Sequence, residues 1–106
     1  MTKVFFREYY DKALITVEGH SGFAQRGSDI VCAGVSTLIC NFINCVRDEE
    51  AHERIKLHKE VIREGYVHLE IETFDFSKQR IEGIIDCFMK GLCMLSEEYP
   101  QYVSIE

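Results

Sequence analysis

An imidazole and a thiol, His20 and Cys32, lie twelve positions apart across a segment punctuated by Gly19, Gly22 and Gly27. That pair is the minimum equipment of a cysteine nucleophile: the imidazole takes the thiol proton and the thiolate attacks a carbonyl carbon. The run Gly27-Ser28-Asp29-Ile30-Val31-Cys32 reads as the start of a helix, which puts Cys32 in its first turn. There the positive end of the helix dipole favours a thiolate, and first-turn N–H groups without helical partners can hold a tetrahedral oxyanion.

Two neighbours of the pair have alternative readings. Asp29 immediately before an apolar-periodic run is the pattern of an N-cap, which is the reading preferred here. Its carboxylate can instead orient His20, as the third member of a triad does. Ser36, one turn beyond Cys32, either donates a hydrogen bond to the sulfur or to substrate, or is simply a small residue on the helix flank. On pattern alone, a cysteine at the border of an apolar stripe is ordinarily packing and a loop histidine is ordinarily solvated. His52 falls in a charged helix end or loop, and His58 and His68 lie in strand patterns with no cysteine at a telling spacing.

The elements that must position these groups follow from periodicity. Val4–Tyr10 and Ala13–Glu18 are β-branched and aromatic and read as strands joined by a two-residue turn, Asp11-Lys12. Gly19–Gly27 is a loop. From Ser28 or Asp29 the period becomes helical, with Val31, Val35, Leu38, Ile39, Phe42, Ile43 and Val46 on one side; this helix is expected to end near Arg47–Glu50. Ile55–Arg63 and Tyr66–Thr73 form a second hairpin around Glu64-Gly65. Ser77 is expected to cap a second long helix, which stops before Tyr99-Pro100. Val103-Ser104-Ile105 has the composition of a short last strand. The order ββαββα predicts an α+β fold, a two-layer α/β sandwich with an antiparallel sheet covered by two helices.

Composition sets the outer limits. A chain of 106 residues with 46% hydrophobic content is one globular domain, residues 1–106. A net charge of -6 argues against nucleic acid as a direct ligand and suits a basic protein partner. No unbroken apolar run suggests a membrane span and no signal-peptide core follows Met1, so a cytoplasmic protein is expected. Five cysteines without a Cys-x-x-Cys pair argue against zinc and against a disulfide framework. Cys40, Cys45, Cys87 and Cys93 fall in helical apolar patterns and are expected to be small buried hydrophobes.

At Gly19-His20 and Gly27-Ser28-Asp29-Ile30-Val31-Cys32-Ala33-Gly34-Val35-Ser36 the chain resembles the ribosomal-processing cysteine protease family, Prp. The likeness resumes at Gly91-Leu92 and at Tyr99-Pro100-Gln101-Tyr102-Val103, so it spans essentially the whole chain. The resemblance implies a cysteine endopeptidase with His20 as base and Cys32 as nucleophile, acting without a cofactor or metal. It further implies a homodimer with a mobile loop over the site. The implied substrate is large-subunit ribosomal protein twenty-seven, whose N-terminal extension is cut after a pair of phenylalanines during ribosome assembly. Ser21 departs from the alanine usual after the family's histidine, and Phe23-Ala24-Gln25-Arg26 lies where relatives vary. The alternative is a non-catalytic module or assembly adaptor that docks a ribosomal protein. A thiol redox protein is a third class, for which Cys32 lacks a resolving cysteine in a short motif.

Overall fold

The computed structural model describes residues 1–106. The chain runs β1 (Thr2–Tyr9), β2 (Lys12–Glu18), α1 (Ile30–Ala51), β3 (Ile55–Arg63), β4 (Tyr66–Thr73), α2 (Lys78–Glu98) and β5 (Val103–Ile105). The sheet order is β3-β4-β2-β1-β5. The first four strands pair antiparallel, while β5 lies parallel to β1 with Thr2 opposite Val103, so the five-stranded sheet is mixed. The expected α+β sandwich with two helices is present, and the last strand adds the parallel edge.

Strict alternation decides which face is covered. Ala13, Ile15 and Val17 of β2 and Val67, Leu69 and Ile71 of β4 point to the helices and are buried. They meet Val31, Val35, Phe42, Ile43 and Val46 of α1 and Ile81, Ile85, Phe88 and Leu92 of α2 in one core. The helices are joined through Phe42 and Phe88, whose rings stack with centroids 4.1 Å apart. The opposite face carries Lys3, Arg7, Thr16, His68, Glu70 and Glu72, with Thr16 Oγ1 2.7 Å from His68 Nδ1.

Several boundaries differ from the sequence reading for identifiable reasons. The β1–β2 turn is Tyr10-Asp11, one residue earlier than expected, because Tyr9 pairs with Lys12. Both turn carbonyls are bonded elsewhere: Asp11 O accepts from Thr73 N at 2.7 Å, and Tyr10 O accepts from Lys78 Nζ at 2.6 Å. Ser77 precedes α2 as expected but makes no side-chain cap; its hydroxyl donates to Arg54 O at 2.5 Å. The α1 helix extends to Ala51, past the charged residues expected to end it. Glu49 in its last turn is buried by pairing with Arg54 and Arg80, and the Arg80 hydrogen bond, the larger of the two effects, holds the Glu49 carboxyl below its usual range.

The cysteines are more accessible than expected. All five are free; Cys40 and Cys87 are exposed, and Cys32, Cys45 and Cys93 are partly so. Helical periodicity alone does not distinguish the side of an apolar stripe that packs from the side that borders solvent. By length and composition α1 is also apolar enough to cross a membrane, contrary to the expectation, although Ser36, Thr37, Asn41 and Asn44 interrupt its apolar run. In the fold its buried side chains complete the protein core.

Candidate active site

The site is built where the end of β2 meets the β3–β4 turn and the start of α1. Gly19 continues the β2–β4 ladder by donating its N–H to Gly65 O at 2.8 Å. Only glycine serves at position 19, because φ is +92° and a Cβ would fall 2.3 Å from Met1 O. The chain therefore turns sharply after β2, and His20 lies across the hairpin turn. Gly65, with φ +70°, gives it room: a Cβ there would sit 2.9 Å from His20 Nε2. The imidazole is exposed.

Cys32 stands in the first turn of α1, partly buried. Its backbone N–H donates to Asp29 Oδ1 at 2.9 Å, while Asp29 Oδ2 accepts from Phe23 N at 2.9 Å and from Ala24 N at 3.3 Å. One carboxylate thus caps the helix and ties down the loop that leads to it. These donors, the Cys32 amide first, hold the Asp29 carboxyl below its usual range against the opposing effect of burial. Of the two roles read from the sequence, Asp29 takes the cap; it makes no hydrogen bond to His20.

The cap takes the nucleophile's own amide out of the set expected to hold an oxyanion. The Cys32 N–H belongs to Asp29 Oδ1, and the Ala33 N–H belongs to Asp29 O at 3.0 Å. The amide that does reach the sulfur comes from the loop: Ser21 N–H donates to Cys32 Sγ at 3.2 Å. The Ser21 side chain is buried, with its Oγ 2.8 Å from Thr2 Oγ1, itself buried at the start of β1.

His20, Asp29, Cys32 and Ser36 all line a single cavity of about 680 Å3 between the loop, α1 and the β3–β4 hairpin. Within it no hydrogen bond joins His20 to Cys32, and Ser36 is exposed without a bond to the sulfur. The cavity continues along α1 past Ile39, Cys40 and Ile43 to Val67 of β4, an apolar arm beside the thiol.

The loop is fastened at further points that the sequence did not single out. Phe23 packs edge-on against Tyr99 and Tyr102, with centroids 5.6 and 5.2 Å away. Arg26 Nη1 pairs with Glu64 Oε1 at 2.5 Å, across the cavity on the hairpin. The Tyr99-Pro100-Gln101-Tyr102 segment therefore meets the active-site loop through space. Thr2, Phe23 and Gly65 carry no local sequence signal of a site; Gly65 signals only a turn.

Three comparisons place the chain among known proteins. A family model described as cysteine protease Prp matches residues 1–104. A stretch of 48 residues, 43% of the chain, is 38% identical to the ribosomal processing cysteine protease Prp of Bacillus subtilis and spans 43% of that relative's length. Among solved structures, the essential ribosomal processing protease Prp of S. aureus, with a covalently linked product peptide, superposes with a TM-score of 0.73 at 19% identity, covering 100% of this chain and 98% of that one. A protein of Streptococcus mutans superposes with a TM-score of 0.70 at 25% identity, covering 100% and 92% of the two chains.

Proposed function

The chain belongs to the family of the cysteine protease Prp, and on that premise we propose that it is an endopeptidase with Cys32 as nucleophile and His20 as base. The observation that carries the proposal is the placing of the Cys32 thiol in the first turn of α1, inside the cavity that His20 also lines. In the reaction the His20 ring leaves Gly65 and turns to Sγ, as catalytic hydrogen bonds that are long without substrate tighten once it is bound. The imidazole takes the thiol proton and Sγ bonds to the scissile carbonyl carbon. The C–N bond then breaks as the imidazolium protonates the leaving amine. Water hydrolyses the acyl-enzyme and restores the thiol.

The substrate we propose is the N-terminal extension of large-subunit ribosomal protein twenty-seven, cut after its pair of phenylalanines. Two features support it: the apolar arm at Ile39, Ile43 and Val67 suits large apolar side chains, and the S. aureus relative was solved with a substrate peptide. A homodimer working in the cytoplasm, where ribosomes assemble, belongs to the same reading. So does Ser36 as a donor toward bound substrate.

One observation favours a second reading, a non-catalytic module that docks the ribosomal protein: the imidazole rests on the hairpin turn and not on the sulfur. Incubation with a peptide spanning the phenylalanine-containing extension, followed by mass spectrometry, separates the two. Cleavage by the wild type and none by Cys32→Ala or His20→Ala is expected. Binding without cleavage selects the adaptor, and equal cutting by Cys32→Ala overturns the assignment of the nucleophile.

A further inference from the structure

We infer that the Ser21 amide is the loop donor that serves Cys32 during the reaction, and that the buried Thr2–Ser21 hydroxyl pair holds it in place. The inference rests on the proteolytic reading of the site. Three observations carry it. The Cys32 N–H is taken by Asp29 Oδ1 and the Ala33 N–H makes the first helical bond, to Asp29 O, so neither is free for the sulfur. The Ser21 N–H is the donor 3.2 Å from Sγ. The Ser21 side chain is fixed from behind, because both hydroxyls are 2% exposed and bonded to each other at 2.8 Å.

The chemistry follows from the position of the donor. Once His20 has taken the thiol proton, a hydrogen bond from Ser21 N–H stabilises the negative charge on sulfur, as hydrogen bonds to ions do more strongly than those between neutral groups. When the Sγ–C bond forms, the carbonyl π pair moves to oxygen and the charge leaves sulfur. That oxyanion is attached to the carbon bonded to Sγ, so the same amide can follow the charge from one atom to the other. On collapse the pair returns to the carbonyl and the amine leaves with the proton from His20. Ser21 and Thr2 hydroxyls touch no reacting atom; they are positioning groups, and β1 reaches the site through them.

The position of the amide depends on the two hydroxyls acting as a pair. Removing one leaves the other buried and unbonded, a state that the loop relieves by shifting. Removing both leaves an apolar contact of similar shape with nothing orphaned. The test uses the full chain as wild type, Thr2→Val, Ser21→Ala and the double variant. Alkylation of Cys32 by iodoacetamide is followed across pH by peptide mass mapping, which separates it from the other cysteines, and kcat and KM are measured on the peptide.

Each single variant is expected to alkylate about three- to tenfold more slowly at neutral pH. Its kcat should fall to a similar extent with KM little changed, and the double variant should recover most of both. Singles that alkylate at the wild-type rate overturn the inference, because a purely structural pair changes melting temperature and not thiol reactivity. A double variant no faster than the slower single also overturns it. Alkylation needs no peptide substrate, so a wild type that fails to cleave overturns the proteolytic reading while the alkylation series still reports on the Ser21 amide.

Discussion

The imidazole of His20 rests against Gly65, so close that a Cβ at that position would fall 2.9 Å from Nε2. Gly65 is at once the turn residue of the β3–β4 hairpin, with φ +70°, and the floor beneath the proposed base. A side chain there meets the ring and strains the turn. Gly65→Ala is expected to destabilise the fold by about 1–2 kcal/mol, read by thermal melting. Because the reaction takes the ring off Gly65, kcat on the peptide should stay within about threefold of the wild type, and a fall of about tenfold or more would show that the ring works from its place on the turn. A melt lowered alone, with kcat retained, would separate the turn from the base.

Asp29 joins the helix start to the loop through three backbone N–H groups. Asp29→Ala removes all three acceptors and should lower kcat about ten- to a hundredfold, since small misplacements of reacting groups cost that much. Asn is as good an N-cap as Asp, so Asp29→Asn should keep the cap and lose part of the loop tie, with an intermediate rate. Equal activity of the two variants would argue that the charge of Asp29, and not its hydrogen bonds, matters.

The pH dependence of stability follows from carboxylates held below their usual range. For Asp29 the largest cause is the Cys32 amide, for Glu49 the Arg80 hydrogen bond, for Glu70 the His68 ring and for Glu72 the His58 ring. A carboxylate with a lowered folded pKa contributes stability in full above its unfolded value and loses it as pH falls through the folded one. Melting temperature is therefore expected to hold steady above about pH 5 and to drop as the medium is acidified below about pH 4. Glu49→Gln should lose about 1–3 kcal/mol at neutral pH and show a shallower acid decline.

Phe23 is the apolar anchor of the loop, edge-on to two tyrosine rings. Edge-to-face pairs contribute about 0.5–1.5 kcal/mol beyond their buried area. Phe23→Ala should therefore speed proteolytic nicking within residues 19–29 and raise KM about three- to tenfold. Unchanged nicking would place the hold on the loop in Asp29 alone.

The Arg26–Glu64 pair crosses the same cavity, but its side chains are 86% and 59% exposed. Solvent screening leaves such a pair little strength. Arg26→Ala is expected to keep kcat/KM within about twofold of the wild type at moderate salt. A larger loss would show that Arg26 contacts the substrate.

The parts legible in the sequence were those written in short-range pattern. Alternation along Tyr66–Thr73 gave the buried face of β4 residue for residue, and the three-to-four spacing gave the apolar side of α1. Asp29 before that run was readable as a cap. Less legible were Glu49 and the exposed thiols of Cys40 and Cys87, because burial depends on which neighbours the fold supplies.

The sequence by itself determined the order of elements, the helix start that puts Cys32 in the first turn and the pairing of candidate types, histidine with cysteine. The tertiary structure alone decided which groups touch. It set Ser21 N–H on Sγ, gave the Cys32 amide to Asp29, laid His20 on Gly65 and brought Thr2 and Tyr102 to the loop. The physical reason is one of range. Periodicity and capping are fixed by interactions within a few residues along the chain. A donor at a sulfur, or a ring on a distant turn, is fixed by β1, β4 and α1 closing around one core, which no local pattern records.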